Sequence, residues 1–455
     1  MTKKPSKQNS TQTQPTLAQA GITRRSALKG AGALAGGMAL GFAAPAVHAQ
    51  QKIVRFLNGE PSADSVRALR FAAAQYEKLT GVQVRIDSVP GGAAFQKLQA
   101  SIQAGQPYEI GTLSFVGDVL LLAGEKKIVP LNDLVKKYDW GPRILFPMNG
   151  NNYWYPYDYN LCWINYRKDL YGKKGLKAAT NWAEYLQNLT AVTGGGDGQL
   201  RHGVVHPLGS DDATNYTAFG YLWANDVRIL DDKWNVVIDS PEMAPRVLEY
   251  LDFMADLVKL MPPSPRQASW ANLVGDFQGD IVSHTPGTGR LIDQMNLTMP
   301  AKAANVASCL YPSKSGKKFA VNHGYDGWVV LDTPMTQEAI KFLTWFSDEH
   351  FINFLHSSPI HYQPTRLDIY KDPRWLAHPS LETFASIVEM QKQVLSDPNV
   401  VIRSIDTEGP EPDVRAGKLF RSFALPEMVQ DRVFNGKSSA EALKTAAEKI
   451  RKVIA

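Results

Sequence analysis

From Ile53 to Val116 the apolar positions switch repeatedly between two periods. Ile53-Val-Arg-Phe-Leu57 is β-branched and apolar and predicts a buried strand. Val66, Leu69, Ala73 and Tyr76 then recur three and four residues apart, with Ser62 ahead of them as a cap and Gly81 behind as a stop. That pattern predicts a helix. Val82, Val84 and Ile86 alternate as a second strand, Phe95, Leu98 and Ile102 mark a second helix ending near Gly105, and Ile110–Val116 reads as a third strand. Strand–helix–strand–helix–strand with short connections predicts a parallel α/β sheet with right-handed crossovers.

The same grammar returns downstream. Residues 180–192 and 241–260 read as helical, the second with Val247, Leu251, Met254 and Val258 on one stripe. Residues 203–206, Ile281–Ser283, Val306–Leu310 and Trp328–Leu331 read as strands, and the last is followed by a helix carrying Ala339, Phe342, Leu343 and Phe346. Ser438-x-x-Glu441 is a capping-box pattern before a helix with Leu443, Ala446, Ala447, Ile450 and Ile454 on one face. The pattern changes character near Asp158–Trp163, Tyr311–Lys318 and Pro359–Arg366, which are candidate passages between lobes. No repeat of 20–50 residues is present. The length of 455 residues fits two or three domains, and 44% hydrophobic with 20% charged residues excludes a wholly disordered chain or a coiled-coil rod.

The formal net charge of +5 looks at first like a hint of nucleic acid. Residues 1–49, however, contain Lys3, Lys4, Lys7, Arg24, Arg25 and Lys29 and no acidic residue, and the remainder carries 43 basic against 44 acidic side chains. The body of the chain therefore has no basic excess to track phosphates, and no nucleic-acid partner is expected. The leader has a polar start, Thr23-Arg24-Arg25-Ser26, a Gly/Ala-rich apolar stretch from Gly30 to Ala46, and Val47-His48-Ala49 at its end. A basic region, a short apolar region and a small-x-small end describe an export signal cleaved after Ala49. The paired arginines resemble the twin-arginine (Tat) signal. The stretch is too short and too weakly apolar for a membrane anchor. The expectation is a soluble periplasmic protein of about 406 residues.

Motifs of catalysis or cofactor binding are missing: there is no G-x-x-x-x-G-K-[ST], H-E-x-x-H, G-x-S-x-G or C-x-x-C. His202 and His206 stand four apart, but Gly203, Val204, Val205 and Pro207 make that stretch a strand or turn, where such residues lie about 13 Å apart. They read as structural, and no metal or cofactor is expected. Cys162 and Cys309 are open to two readings, a periplasmic disulfide or two buried thiols. One segment stands out. In Tyr153–Tyr166, seven of 14 residues are Tyr or Trp. Flat apolar faces with polar tips suit sugars, whereas Trp163 and Tyr166 read as core aromatics.

Several segments, in order, resemble the periplasmic solute-binding proteins of ABC importers, in the family-1 group that includes maltose-type sugar binders. They are FAAAQYEKLTGVQV at Phe71–Val84, ASIQAGQPYEI at Ala100–Ile110, YPYDYNLCWINYRKDL at Tyr155–Leu170, TNWAEY at Thr180–Tyr185, and the stretches Asp239–Tyr250, Asp276–Arg290 and Phe434–Ile450. Tyr108-Glu109, Asn165 and Arg167 depart from the common pattern. The resemblance implies a class II two-lobe α/β fold with a hinge and a ligand cleft between the lobes. It divides the chain into a signal at 1–49, an N-terminal lobe of 50–158 plus 313–360 and a C-terminal lobe of 159–312 plus 361–455. It implies no enzymatic activity, a small-molecule solute, membrane permease subunits as partners, and a monomer.

The resemblance also implies three cleft loops. Trp154–Asp158 offers Tyr157 as a stacking ring and Asp158 as a hydroxyl acceptor, with Trp154 beside them. Gly287–Arg290 offers close backbone approach at Gly289 and a guanidinium at Arg290, which serves either the ligand or an ion pair. Gly324–Trp328 offers Tyr325 and Asp326, with Trp328 in the core. Trp223, Trp270 and Asn58 are further candidates, and Gln363 and Arg366 are hinge candidates. The expected solute is a carbohydrate or polyol. The alternatives are a polar anionic solute such as a sugar acid or glycerol phosphate, a Tat-exported hydrolase, or a receptor that signals instead of delivering.

Overall fold

Ser62 Oγ accepts the backbone N–H of Ser65 at 3.4 Å, and Gly81 adopts φ 75°, so the Ala63–Thr80 helix starts and stops at its two signals. The helix buries Leu69, Ala72, Ala73 and Tyr76 in a hydrophobic core shared with the strands on either side of it in the chain. The computed structural model describes residues 51–60, 62–141, 144–316, 319–397, 400–405 and 408–455, and the expected export signal at 1–49 lies outside them.

Nine strands run in chain order among the described residues. They are β1 (Ile53–Asn58), β2 (Gln83–Ser88), β3 (Ile110–Leu113), β4 (Tyr155–Arg167), β5 (His202–Val204), β6 (Val282–Gly287), β7 (Val306–Cys309), β8 (Phe319–Val330) and β9 (Val401–Arg403). Their spatial order is β2-β1-β3-β8-β4-β6-β5, with β7 on β4 and β9 on β8. The predicted parallel sheet holds for β2-β1-β3. β8 then joins β3, and β4 joins β8, in antiparallel sense.

β4 belongs to two sheets. Its Tyr155–Cys162 half pairs with β8. Beyond Cys162 the partners change, and Trp163–Tyr166 pairs with β6 while Ile164–Arg167 pairs with β7. A continuous strand thus passes from a first sheet (β2-β1-β3-β8-β4) into a second (β4-β6-β5 with β7). Eleven of its 13 residues are buried, so neither face of β4 is a solvent face.

Two expectations shift at their edges. The third strand stops at Leu113, because Phe115 caps a helix over Val116–Gly124 that is buried nearly all round. An unbroken apolar run cannot by itself separate a strand from a buried helix. The 241–260 stretch is a helix over Ala244–Leu257 closed by a tighter turn at Val258–Leu260. At the C-terminus the capping box forms as expected: Ser438 N–H donates to Glu441 at 2.9 Å and Glu441 N–H to Ser438 Oγ at 3.2 Å. That helix buries Leu443, Ala446, Ala447 and Ile450.

One hydrophobic core spreads over the first sheet and a second fills the space between the second sheet and the C-terminal helices. Cys162 and Cys309 are free thiols. Among the described residues no helix is long and apolar enough to cross a membrane.

Candidate functional site

Parallel strands deliver their following loops to one edge, and ligands of open α/β sheets gather there. Glu60 follows β1, Ser114 and Phe115 follow β3, and Thr288 and Arg290 follow β6. These residues line a cavity of about 610 Å³, which also takes in Asn160 of β4, Asp326 of β8, His361, and Asp118, Asp212, Trp270 and Arg421 from helices. The size falls within the roughly 300–1,000 Å³ typical of small-molecule sites.

One wall is aromatic. Phe95, Phe115, Tyr216 and Trp270 all face the cavity. Tyr216 lies 6.4 Å from Trp270 and 5.1 Å from Phe420, ring centre to ring centre, and Phe420 stacks on Phe115 at 4.3 Å. Trp270 is 38% exposed, a large apolar surface to leave in water unless something covers it.

The floor and the far side are charged. Arg290 donates to Glu60 Oε2 at 2.5 Å and lies 5.1 Å over the Tyr362 ring. Burial works against the Arg290 charge, but Glu60 holds the guanidinium in its ionised form. Arg421 donates to Asp118 at 2.7 Å and to Asp212 at 3.2 Å. Burial still pushes the Asp118 carboxyl up to about 6, against the pull of Arg421. Asn160 donates to Asp326 at 2.6 Å, and the Asp326 backbone N–H donates to Asp158 Oδ1 at 3.1 Å. Burial raises Glu60, Asp158 and Asp326, and Asp326 adds to the first two by like-charge repulsion.

A family model described as bacterial extracellular solute-binding protein matches residues 61–349. The chain belongs to that family. Membership implies a place of work outside the cytoplasmic membrane and a solute as the partner. No curated protein matches the chain. Among solved structures, an ABC transporter solute-binding protein from Thermotoga lettingae, bound with α-D-tagatose, superposes with a TM-score of 0.73 and 19% identity over 89% of this chain and all of that one. The GacH receptor of Streptomyces glaucescens, solved unliganded and with acarbose, gives 0.72 and 16% over 89% and 98%. A solute-binding protein from Agrobacterium radiobacter in complex with ribitol gives 0.70 and 18% over 88% and 98%. At these identities the likeness carries the fold, that of two-lobed periplasmic binding proteins.

In this solute-binding protein the candidates separate into three groups. Arg290, Asp326 and Trp270 line the cavity. Asp158 and Asn58 sit one layer behind it: Asp158 is fully buried beside Asp326, and Asn58 holds Glu60 by its backbone, donating to its carbonyl at 2.6 Å and accepting its N–H at 3.1 Å. Gly289 is also behind, pressed on the Ile360 carbonyl so closely that a Cβ there would lie 2.0 Å from that oxygen.

The third group is a correction. Tyr157 is 1% exposed, with its ring 4.7 Å from Trp328 and 5.2 Å from Phe354. Tyr325 packs on Phe146 and Tyr159 at 4.9 and 5.1 Å. Trp154 covers Gly327, and Trp223 lies inside the second core. None of these four lines the cavity: all four are buried, and their rings pack inside the two hydrophobic cores. Gln363 bonds its own loop at Ile360, and Arg366 is clamped by Asp368 and the Tyr138 ring.

Glu60, Asp118, Asp212, Tyr216, His361 and Arg421 were not anticipated from sequence. Glu60 did carry a signal, being the first charged residue past the carboxyl end of β1. Asp118 and Arg421 carried none, since 303 residues separate them in the chain. His202 lies on β5, and His206 is buried against the Tyr221 hydroxyl at 3.1 Å, its imidazole pushed down to about 3 by burial.

Proposed function

We propose that this protein is the substrate-binding component of an ABC importer and captures a carbohydrate or polyol in the cavity by closing two lobes around it. The observation that carries this reading is the composition of the cavity wall. Exposed Trp270 and half-buried Tyr216 offer flat faces to sugar C–H groups, while Asp118, Asp212, Glu60 and Asp326 offer acceptors to hydroxyls. An anionic solute is not favoured by this wall, because each arginine in it already pairs with carboxylates. The tagatose and ribitol complexes of the structural neighbours support the same substrate class.

The lobes are taken as 50–158 plus 313–360 and 159–312 plus 361–455, joined near the point where β4 changes partners. Ligand favours the closed state only through contacts that differ between open and closed forms. Residues 1–49 act as a Tat-type export signal cleaved after Ala49, and the closed protein delivers its solute to membrane permease subunits as a monomer, without catalysis.

A thermal-shift screen over sugars, polyols, sugar acids and sugar phosphates tests the reading. A true ligand at 100 times its Kd stabilises the fold by about 2.7 kcal/mol. A shift with sugar acids or phosphates alone, or with amino acids alone, overturns the substrate class. Turnover of the ligand overturns the non-enzymatic role.

A further inference from the structure

Three side chains from distant parts of the chain meet on the cavity floor. Glu60 follows β1, Asp326 lies on β8, and His361 follows the Phe351–Leu355 helix. One oxygen or nitrogen of each lies within 4.8 Å of the corresponding atom of the other two. Around a single ion, bonds of about 2.0–2.6 Å place donors at separations of this size. All three residues are under 9% exposed, yet all three line the cavity, so the point between them is reachable from it.

Two further atoms, outside that trio, point to something missing there. Asp158 is 0% exposed. Its Oδ1 accepts the Asp326 N–H, whereas its Oδ2 lies 3.8 Å from His361 Nε2 and has no hydrogen-bond donor among the described residues. Asn160 gives its amide N–H to Asp326, and its Oδ1, also buried, receives no hydrogen bond among the described residues. Buried acceptors left without a donor are rare in native proteins. The local charge points the same way: Glu60, Asp158 and Asp326 face one guanidinium, that of Arg290, which is engaged with Glu60.

The backbone of the loop that carries the imidazole is held in place. Asp293 accepts the backbone N–H groups of Ile360 and His361 at 3.1 and 3.0 Å and the Ser358 hydroxyl at 2.7 Å. The loop that carries His361 is therefore fixed before any ligand arrives, as donors of an ion site need to be.

We propose that Glu60, Asp326 and His361, with Asp158 completing the set, bind one divalent transition cation of the Zn²⁺ or Mn²⁺ type on the cavity floor. A histidine among carboxylates suits these ions better than Mg²⁺ or Ca²⁺, which favour oxygen donors alone. The site shares Glu60 and Asp326 with the solute cavity, but its argument does not depend on the sugar-or-polyol reading.

Calorimetric titration of ZnCl₂ and of MnCl₂ into tag-free protein stripped with EDTA tests it. The expected result is uptake of one equivalent of at least one of the two ions, with affinity lowered about tenfold or more in Asp326→Asn and in His361→Gln. Melting of each variant without metal shows whether it folds. Should neither fold, anomalous scattering from crystals of the unaltered protein soaked in ZnCl₂ decides, with a peak expected about 2.0–2.2 Å from Asp326 and His361 donors. No uptake of either ion, uptake indifferent to both folded variants, or a peak elsewhere overturns the site. A protein that binds a sugar in EDTA and takes up neither ion loses this proposal and keeps its function.

Discussion

Glu60 and Arg290 form a 2.5 Å ion pair between the loop after β1 in the first sheet and the helix start after β6 in the second. Both side chains are largely buried, with 11% and 18% of their side-chain surface exposed. Removing one partner of a buried pair leaves an uncompensated charge, at about 3–5 kcal/mol. Here the charge regains water if the two sheets part, so the loss falls on the closed arrangement. Arg290→Ala should weaken solute binding about a hundredfold or more and enlarge the radius of gyration in X-ray scattering, with little change in the melting of the unliganded protein. A lowered melting temperature with unchanged affinity would show that the pair holds the fold and not the closure.

Gly117 and Gly417 make a second contact, beside the cavity, where two helices meet backbone to backbone. A Cβ on Gly117 would lie 2.6 Å from Gly417 Cα and 2.7 Å from its N, both backbone atoms with no room to yield. The Val116–Gly124 helix adjoins the first sheet, and the Val414–Ser422 helix packs with the C-terminal helix on the second core. Gly117→Ala should keep these helices from seating and lower solute affinity about tenfold, roughly 1.4 kcal/mol. Calorimetry checks this, and an unchanged Kd would mean that ligand is held without this contact.

Trp270 and Trp223 should respond oppositely to truncation. Trp270 is 38% exposed in the cavity wall, so Trp270→Ala should lower sugar affinity about tenfold while the melting temperature holds. Trp223 is 1% exposed in the second core, so Trp223→Ala should destabilise the fold by about 3–5 kcal/mol. Paired melting and binding measurements separate the two; equal destabilisation would place both rings in the core.

That contrast also shows what the sequence carries. The periodicity of Ile53–Val116 predicts the β2-β1-β3 part of the first sheet, where clear caps such as Ser62 and Gly81 mark the first helix. It does not locate the aromatic wall. Tyr153–Tyr166 is rich in rings, but β4 lies between two layers and turns most of them into the core. Trp270 and Tyr216, which do face the cavity, stand in stretches of ordinary composition. The charged floor is assembled from Glu60, Asp326 and His361, and which carboxylate meets which cation depends on topology alone. The carboxyl ends of β1 and β6 were the readable part, and they lead to Glu60 and Arg290.

Glu408 should give the protein a pH dependence that one substitution removes. It is 2% exposed, and its Oε2 accepts the backbone N–H groups of Ile229 and Leu230 at 2.9 and 2.8 Å. Burial pushes its carboxyl from 4.5 up to about 7 despite those donors. The folded protein therefore keeps a proton across that interval that the unfolded chain has released, so stability falls as pH rises through it. Glu408→Gln retains an oxygen for both N–H groups and cannot ionise. Wild type should lose up to about 3 kcal/mol relative to the variant between about pH 4.5 and 7.5. His206 and His284, pushed down to about 3 by burial, weaken both proteins alike as pH falls below the ordinary imidazole range, so only the difference is informative. Urea denaturation of both proteins at the two pH values measures it, and a difference that stays constant with pH would mean that Glu408 is ionised in the fold throughout.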